Sequence, residues 1–340
     1  MPFRLSGKKI TIIVLCIVFL SGIFLVIGFR DFLNSPNKKR DPHQVFIIRD
    51  GLPLKKVVDE LEKKEIISSG TMFLVWARLM GYSRKIKAGE YRLSSEMTPL
   101  KILKIISEGS IITYPVTIPE GFTIKQIGEI LDGKGVVDKG DFLSLVRDPG
   151  IVKRYNISGP DLEGYLYPDT YYFGKDLSSM SVIDVMVKRF RDVFKPFQER
   201  AEQLGMTLEE VITLASIVEK ETGQAEERPI IASVFLNRLK KGMRLETDPT
   251  VIYGIKEFNG NLTRKDLAHP TPYNTYVIRG LPPGPIANPG KEAIKAVLYP
   301  ANSDYLFFVS KKDGTHYFSR TFPEHNKAVD IYQKKRKIKD

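Results

Sequence analysis

Residues Thr207–Gly242 read TLEEVITLASIVEKETGQAEERPIIASVFLNRLKKG and predict two consecutive helices. Thr207 and Glu210 form a capping-box pattern, in which each side chain bonds the other residue's backbone N–H at the start of a helix. Gly223 favours the end of the first helix, because glycine readily adopts the backbone conformations that terminate helices. Pro229 suits the first turn of the second helix, which ends with the quoted stretch. Apolar residues dominate both helices, so we expect them to form part of a buried core.

Glu219 is an acidic residue on the apolar part of the first helix. Ile212 and Ala215 lie seven and four residues before it and share its face of the helix. A carboxyl group among apolar side chains favours its protonated form, and a protonated acid can donate a proton in catalysis. The alternative is structural: a glutamate near the end of a helix that forms an ion pair with Lys220 or Arg228.

The composition excludes several classes of site. The chain has 340 residues and a single cysteine, so an intrachain disulfide cannot form. Its four histidines are scattered without metal-ligand spacing, and we expect neither a metal nor another cofactor. The net charge of +12 is spread along the chain without a nucleic-acid motif, so no nucleic-acid partner is expected. A basic surface also suits a polyanionic cell wall or an anionic membrane.

Residues 10–29 form an uncharged apolar stretch near the N-terminus. At about 20 residues, a helix of this length can cross a bilayer core. No cleavage site of the A-x-A type follows it, so we interpret it as an uncleaved single-pass anchor; a cleaved signal peptide and a buried core helix are the alternatives. Basic residues flank both ends, so the positive-inside rule discriminates little. We expect the N-terminus in the cytoplasm and the rest of the chain outside it, at the cell (inner) membrane.

An internal repeat follows the anchor. The segment IRDGLPLKKVVDEL, which starts at Ile48, matches IPEGFTIKQIGEIL, which starts 70 residues later at Ile118. Each copy predicts a strand, an acidic-Gly turn and two helices. The unit resembles a LysM module, a small fold that aligns N-acetylhexosamine chains; the alternative is a generic βαα unit that only packs on its neighbour. Trp76, the sole tryptophan, is predicted to lie in the core rather than to stack on a sugar.

The region from Asp161 onwards combines helices and local hairpins. Residues 181–204 predict one long amphipathic helix, which Pro196 could interrupt. Residues 305–310 and 315–320 predict a β-hairpin that turns at Asp313-Gly314. The fold class is therefore α+β: an N-terminal transmembrane helix, a LysM-like βαα repeat region, and an α+β domain of catalytic type.

Three further segments mix hydroxyls, amides, carboxylates and tyrosines. They are LETDPTVIYG from Leu245, predicted as a short strand and turn, TPYNTY from Thr271, and the Pro/Gly-rich loop GLPPGPIANPG from Gly280. Such side chains supply the hydrogen bonds and flat apolar faces that a sugar-binding cleft needs.

Several segments together resemble the endolytic murein transglycosylase (YceG-like) family. They are LASIVEKET from Leu214, ASVFLNRL from Ala232, LETDPTVIYG from Leu245, YNTY from Tyr273, GLPPGPI from Gly280, LEGYLYPDT from Leu162 and HNKAV from His325. The resemblance implies domains at 1–9 (cytoplasmic), 10–29 (anchor), 30–42 (linker), 43–160 (LysM-like repeats) and 161–340 (transglycosylase domain).

The resemblance also implies a mechanism and a set of site residues. Glu219 matches the family's catalytic glutamate. It would cleave the bond between N-acetylmuramic acid and N-acetylglucosamine of nascent peptidoglycan, leaving 1,6-anhydro ends and terminating strand elongation. Peptidoglycan strands, the membrane and peptidoglycan synthases are the expected partners. The expected substrate-binding residues are Glu163, Ser216, Asn237, Thr247, Asp248, Tyr253, Tyr273, Asn274 and Tyr276.

Two other functions stay open at this point. A membrane-anchored glycoside hydrolase would need a second carboxylate to activate water or act as nucleophile, and Asp248, Glu163 and Glu246 are available. Glu221 is a poor partner, because it lies two residues beyond Glu219 and points to another side of the helix. A non-catalytic wall-binding scaffold would cleave nothing.

Overall fold

The structure is a computed structural model that describes residues 7–37, 43–49, 51–82 and 85–334. The chain forms two compact units. The first contains residues 1–114 and 173–177, and the second contains residues 115–172 and 178–340. Helices and three two-stranded sheets make up the described residues, which confirms the mixed α+β class. Parts of the predicted cytoplasmic segment and linker, the repeat residue Asp50 and the basic C-terminal tail lie outside the described residues.

The first unit is a small α+β body. Its elements are α1 (Gly7–Asn34), β1 (Gln44–Ile48), α2 (Leu54–Lys63), α3 (Gly70–Leu79), β2 (Gly89–Leu93) and α4 (Pro99–Glu108). Strands β1 and β2 pair antiparallel with Phe46 opposite Tyr91, and both side chains are fully buried. The apolar faces of α2, α3 and α4 cover this pair, so one core holds the unit together.

Helix α1 contains the predicted apolar segment. Its stretch Leu15–Asn34 is long and apolar enough to cross a membrane. The helix continues beyond Phe29 to Asn34, so residues 30–34 are helical where a linker was expected. Its last turns pack on the first unit: Leu33 is buried, and the Phe29 ring lies 5.7 Å from that of Trp76.

The second unit carries most of the helices. Its elements are β3 (Tyr114–Thr117), α5 (Ile124–Gly133), α6 (Lys139–Val146), α7 (Pro149–Arg154), β4 (Thr170–Phe173), α8 (Ser179–Phe194), α9 (Gln198–Gln203), α10 (Leu208–Glu221), α11 (Arg228–Lys240), α12 (Asp248–Gly254), α13 (Arg264–Ala268), α14 (Lys291–Leu298), β5 (Phe307–Ser310), β6 (His316–Ser319) and α15 (Phe322–Val329). Strand β3 pairs with β4, and each has one residue in the first unit. The main core lies where α10, α11 and α14 pack together.

Both copies of the internal repeat form a strand followed by two helices, β1-α2-α3 and β3-α5-α6. Gly51 and Gly121 occupy the same place in the turn of each copy, and both have a left-handed backbone with φ of 71° and 73°. The two copies lie in different compact units. The LysM identity and the boundary at residue 161 stay predictions.

Local signals predicted several elements well. The Thr207–Glu210 capping box is present at the start of α10, and β5 and β6 form the expected hairpin, with φ of 87° at Gly314. The long predicted helix is divided by a short 3-10 turn at Lys195–Phe197 into α8 and α9. The strand predicted after Leu245 is wrong, because residues 248–254 form α12. Asp248 and Pro249 occupy its first turn, where a carboxylate and a proline stabilise a helix.

Gly164 determines how closely the loop after α7 approaches the Pro/Gly-rich loop. Its φ is +89°, and a Cβ there would lie 2.6 Å from Pro285 and 2.8 Å from Ile212. Only glycine can adopt this positive φ and also leave room for Pro285 and Ile212 without strain.

Replacing Gly164 should therefore destabilise the second unit strongly. Gly164→Ala combines an unfavourable φ with a steric overlap, and we expect a loss of about 3 kcal/mol. Gly205→Ala is the matched control. It has φ of +65° with nothing within 4 Å, and should lose only about 1 kcal/mol. Chemical denaturation measures both values, and equal losses would contradict the predicted steric contact.

Candidate active site

Glu219 lies in the last turn of α10 with its carboxyl group nearly enclosed. The side chain is only 6% exposed. One oxygen accepts a hydrogen bond from the Arg228 guanidinium at 3.2 Å, and the other accepts one from the Gly290 backbone N–H at 2.9 Å. The ion pair that the sequence left open with Arg228 is therefore present. Lys220 turns away and donates to the Gly121 carbonyl oxygen at 3.3 Å.

The turn between α10 and α11 places Arg228 opposite Glu219. The Thr222 hydroxyl accepts a hydrogen bond from the Gln224 N–H at 3.0 Å and closes this turn. Glu227 anchors the other side of the turn, because its carboxylate accepts the His316 backbone N–H at 2.8 Å and also contacts the His316 ring at 2.7 Å. Arg228 then starts α11, and Pro229 occupies the first turn as the sequence predicted. The guanidinium thus has a fixed position beside the carboxyl group.

Glu120 is a second carboxyl group at this site, and it was not among the predicted site residues. It belongs to the acidic-Gly turn of the second repeat copy. A Cβ added to Gly290 would overlap the Glu120 carboxylate at 1.9 Å, so Gly290 lies between Glu120 and Glu219. Burial raises the pKa of Glu120, the Glu219 and Glu292 charges raise it further, and Arg228 opposes them. The Glu120-Gly121 match to the first copy was visible in the sequence, but its position beside Glu219 was not.

A buried polar network holds these loops together, with Asn288 at its centre. The Asn288 side chain donates to the Phe122 carbonyl at 2.9 Å and to Glu163 at 2.8 Å, and it accepts the Leu166 N–H at 2.9 Å. The backbones of Phe122 and Asn288 also form an isolated antiparallel bridge. These bonds join the Glu120 turn, the Glu163 loop and the Pro/Gly-rich loop. They therefore position both Gly290 and Glu120.

Glu163 lies within this network and is 1% exposed. It accepts the Ile124 N–H at 3.0 Å, at the start of α5, and the Tyr253 hydroxyl at 3.2 Å. Burial, helped by the nearby Asp161 charge and opposed by the hydrogen bonds that Glu163 accepts, raises its pKa to about 8. The group is therefore largely protonated at neutral pH and holds the loops together from inside the protein.

A second polar cluster surrounds the start of α12. The Thr247 hydroxyl donates to Glu221, and the Thr247 N–H donates to the Thr275 hydroxyl at 3.1 Å. The Tyr276 hydroxyl donates to Asp248 at 2.7 Å. Burial, helped by the Asp248 charge and opposed by the Thr247 hydrogen bond and His316, raises the pKa of Glu221 to about 7. Glu221, which seemed a poor partner for Glu219, is instead the partner of Thr247.

The structure brings some of the predicted binding residues together and separates others. The rings of Tyr253 and Tyr273 are tilted at 58° to each other with 4.8 Å between their centres, and both residues are partly buried. Asn237 instead donates hydrogen bonds to the carbonyl oxygens of Ser303 and Tyr305, at 2.9 and 3.0 Å, in the segment between α14 and β5. The substrate-binding role of all these residues stays a prediction.

Three of the remaining predicted residues are buried and bonded within the protein. Ser216 accepts the Ile286 N–H at 3.0 Å, which ties the Pro/Gly-rich loop to α10. The Asn274 side-chain amide donates to three carbonyl oxygens, of which that of His269 is at 2.7 Å. Thr247, described above, is 2% exposed. Among the residues the structure describes, no group of three His, Cys, Asp or Glu is placed to hold a metal ion.

The fold and the site together define an α+β protein with an enclosed carboxyl group held by a guanidinium and a backbone N–H. The YceG-like family pattern matches residues 46–331. The chain is 32% identical to an endolytic murein transglycosylase of Bacillus subtilis (strain 168) over 330 residues, covering 92% of this chain and 91% of the relative. The chain therefore belongs to the YceG-like family.

Two further relatives agree with this assignment. An endolytic murein transglycosylase of Streptococcus pneumoniae serotype 2 is 29% identical over 314 residues, and the match covers 83% of this chain and 57% of that relative. The crystal structure of a yceG-like protein from Listeria monocytogenes has a TM-score of 0.59 and 38% identity, and covers 84% of this chain and 98% of that one.

The raised pKa of Glu163 predicts how stability changes with pH. The folded protein keeps this proton up to about pH 8, whereas an unfolded chain loses it near the ordinary value of 4.5. The stability that Glu163 contributes is thus complete at about pH 4 and is lost as the pH rises to 8, by at most about 1.4 kcal/mol per pH unit.

Glu163→Gln should remove this dependence. The melting temperature of the wild type, relative to that of Glu163→Gln, should fall steadily between pH 5 and 8. Glu257→Gln, at an exposed position, controls for the loss of one charge. If the difference in melting temperature between wild type and Glu163→Gln stays constant with pH, Glu163 is ionised in the folded protein over the whole range from pH 5 to 8, and the prediction is contradicted.

Proposed function

We propose that this protein is an endolytic transglycosylase that cleaves the glycan strands of peptidoglycan, with Glu219 as its catalytic residue. Membership of the YceG-like family supports the activity, since two relatives named endolytic murein transglycosylase match most of this chain. The observation that carries the residue assignment is the position of Glu219. Its carboxyl group is enclosed and held by one guanidinium and one backbone N–H.

Glu219 first acts as the general acid. It gives its proton to the oxygen that links N-acetylmuramic acid to N-acetylglucosamine, and the C1–O bond breaks as positive charge develops on the ring. Arg228 and the Gly290 N–H then stabilise the carboxylate that Glu219 has become. Because both donors are in place before the reaction, they need no reorganisation during it.

Glu219 next acts as the general base. It takes the proton from the C6 hydroxyl of the muramic acid residue while that oxygen forms a bond to C1. The product is a 1,6-anhydro end, and Glu219 is protonated again. The cycle needs one carboxyl group, and no water is consumed.

The predicted binding residues fall into two roles in this proposal. Asp248, Tyr273 and Tyr276 are at least partly exposed and offer a carboxylate, a hydroxyl and ring faces to a sugar. Glu163, Ser216, Thr247, Tyr253, Asn274 and Asn237 act as positioning residues, because their polar groups bind other parts of the protein.

Glu120 is the observation that favours a second candidate, a glycoside hydrolase. Retaining and inverting hydrolases both use two carboxyl groups, and Glu120 and Glu219 flank Gly290. In the transglycosylase, ionised Glu120 instead stabilises the positive charge on the sugar ring. The lytic reaction is preferred because relatives over most of the chain are named transglycosylases.

The location of the reaction is also part of the proposal. Helix α1 anchors the protein in the cell membrane, with the catalytic unit outside the cytoplasm, and the LysM-like copies align the glycan. The length and hydropathy of residues 15–34 support the anchor. The matching βαα order of the two copies supports a shared role. Nascent strands near their synthases would then be the substrate, and cleavage would end their elongation.

Glu219→Gln should abolish cleavage while leaving the fold intact. Loss of the general acid and base is expected to lower kcat by about 10³-fold or more. The assay follows release of fragments with 1,6-anhydro ends from purified glycan by mass spectrometry, and Glu199→Gln, at an exposed position on α9, is the matched control. Full activity in Glu219→Gln would remove Glu219 from the mechanism. A wild type that cleaves nothing would favour the scaffold.

Glu120→Gln should change the pH dependence of the cleavage activity and leave the fold intact. Glu120 faces Glu219, Arg228 and Glu292, and Lys220 contacts the adjoining Gly121. If the Glu120 charge stabilises the sugar ring, the cleavage activity of the wild type rises with pH as Glu120 ionises. This rise on the acid side of the pH profile should disappear in the variant, and kcat should fall about tenfold. An unchanged profile would exclude this electrostatic role. A loss as complete as that of Glu219→Gln would favour the hydrolase.

A further inference from the structure

Helix α3 in the first unit has two apolar faces. Gly70, Phe73 and Ala77 face the core and are buried. Met72, Val75 and Leu79 follow one another at helical spacing on another face, and they are 39%, 44% and 73% exposed. A surface helix of a soluble domain normally places polar residues opposite its core. The outer face of α3 is thus an apolar surface that the described residues leave uncovered.

This outer face adjoins the apolar helix α1. A shallow groove of about 620 Å³ lies between them, and Val26 and Phe29 of α1 line it together with Val75 and Leu79 of α3. Leu100, 43% exposed at the start of α4, also lines the groove. Exposed apolar side chains of three helices therefore form one continuous patch.

The position of α1 sets the depth of this patch relative to a bilayer. Val26 belongs to the apolar stretch, three residues before its predicted end at Phe29, or about 4.5 Å along a helix. Leu33 is buried in the first unit, so the end of α1 and this unit are packed together. The groove runs along α1 from Val26 to Asn34, about 12 Å of helix, so its other lining residues lie within about that distance of the level of Val26. Leu79 is therefore carried to the edge of the hydrocarbon region when α1 crosses a membrane.

Basic side chains border the same patch. Arg30 lines the groove, Arg78 is exposed beside Leu79, and Lys104 lies one helical turn after Leu100 on α4. Lys104 also forms an ion pair at 3.8 Å with exposed Glu108, an interaction that contributes little in water. Arginine and lysine next to apolar residues suit the phosphate level of a membrane, where the cations meet anionic headgroups.

We propose that Met72, Val75, Leu79 and Leu100 form a lipid-contacting surface, on which the first unit rests in the outer boundary of the bilayer that α1 crosses. This inference depends on the anchor role of α1 in the proposed function. The anchor would then hold the first unit flat against the lipid surface rather than at the end of a tether. Contact through two helices restricts the tilt of this unit in a way that a single span does not.

Spin labels at three positions of the full chain test this surface. The background is Cys16→Ser, which removes the single cysteine. Leu79→Cys reports on the patch, Leu20→Cys on α1, and Glu60→Cys on the charged face of α2 in the same unit. The protein is inserted in vesicles of phosphatidylcholine and phosphatidylglycerol. Collisions of each label with oxygen, which concentrates in lipid, and with a water-soluble nickel chelate are then measured by electron paramagnetic resonance.

The proposal expects the Leu79 and Leu20 labels to collide more with oxygen than with nickel, and the Glu60 label to show the reverse. A Leu79 label in water with a Leu20 label in lipid would overturn the lipid-contacting surface and leave the anchor intact. A Leu20 label in water would instead overturn the anchor, and with it the basis of this inference. A Leu79 label shielded from both reagents would mean that a second protein surface covers the patch, which also overturns the proposal.

Discussion

The hydrogen bonds of Asn288 are the constraint on which the candidate site depends. Its side chain and backbone connect the Glu120 turn, the Glu163 loop and the Pro/Gly-rich loop. Buried polar groups such as these stabilise a structure only when every partner is present. Here the side-chain oxygen accepts one hydrogen bond and the nitrogen donates two. Without this junction, Gly290 would have no fixed place from which to bind Glu219.

The carboxyl group of Glu219 has a fixed hydrogen-bond donor on each of its two oxygens. The Arg228 guanidinium and the Gly290 N–H each donate a hydrogen bond to its otherwise enclosed carboxyl group, and the Glu120 carboxyl group lies next to Gly290. The ion pair, which on sequence alone argued for a structural role, also fits the proposed reaction, in which Arg228 stabilises the carboxylate that Glu219 becomes.

Short-range signals made part of this structure predictable. The capping box of α10, the Asp-Gly turn of the hairpin and the two βαα copies each depend on neighbouring residues, and each is found where it was expected. The strand predicted after Leu245 failed because the apolar alternation there was weak and Asp248-Pro249 favours a helix start. The convergence of Glu120, Glu219 and Gly290 could not be predicted in this way. It joins residues far apart in the chain and depends on how the loops pack.

The central claim is that one carboxyl group serves both proton transfers and that the sugar's own hydroxyl closes the ring. The most direct measurement is digestion of purified peptidoglycan strands in water enriched in oxygen-18, followed by mass spectrometry of the new ends. The lytic mechanism predicts anhydro ends without the heavy isotope, because no water enters the product. Reducing ends that carry oxygen-18 would show that water attacks C1, and would contradict the claim.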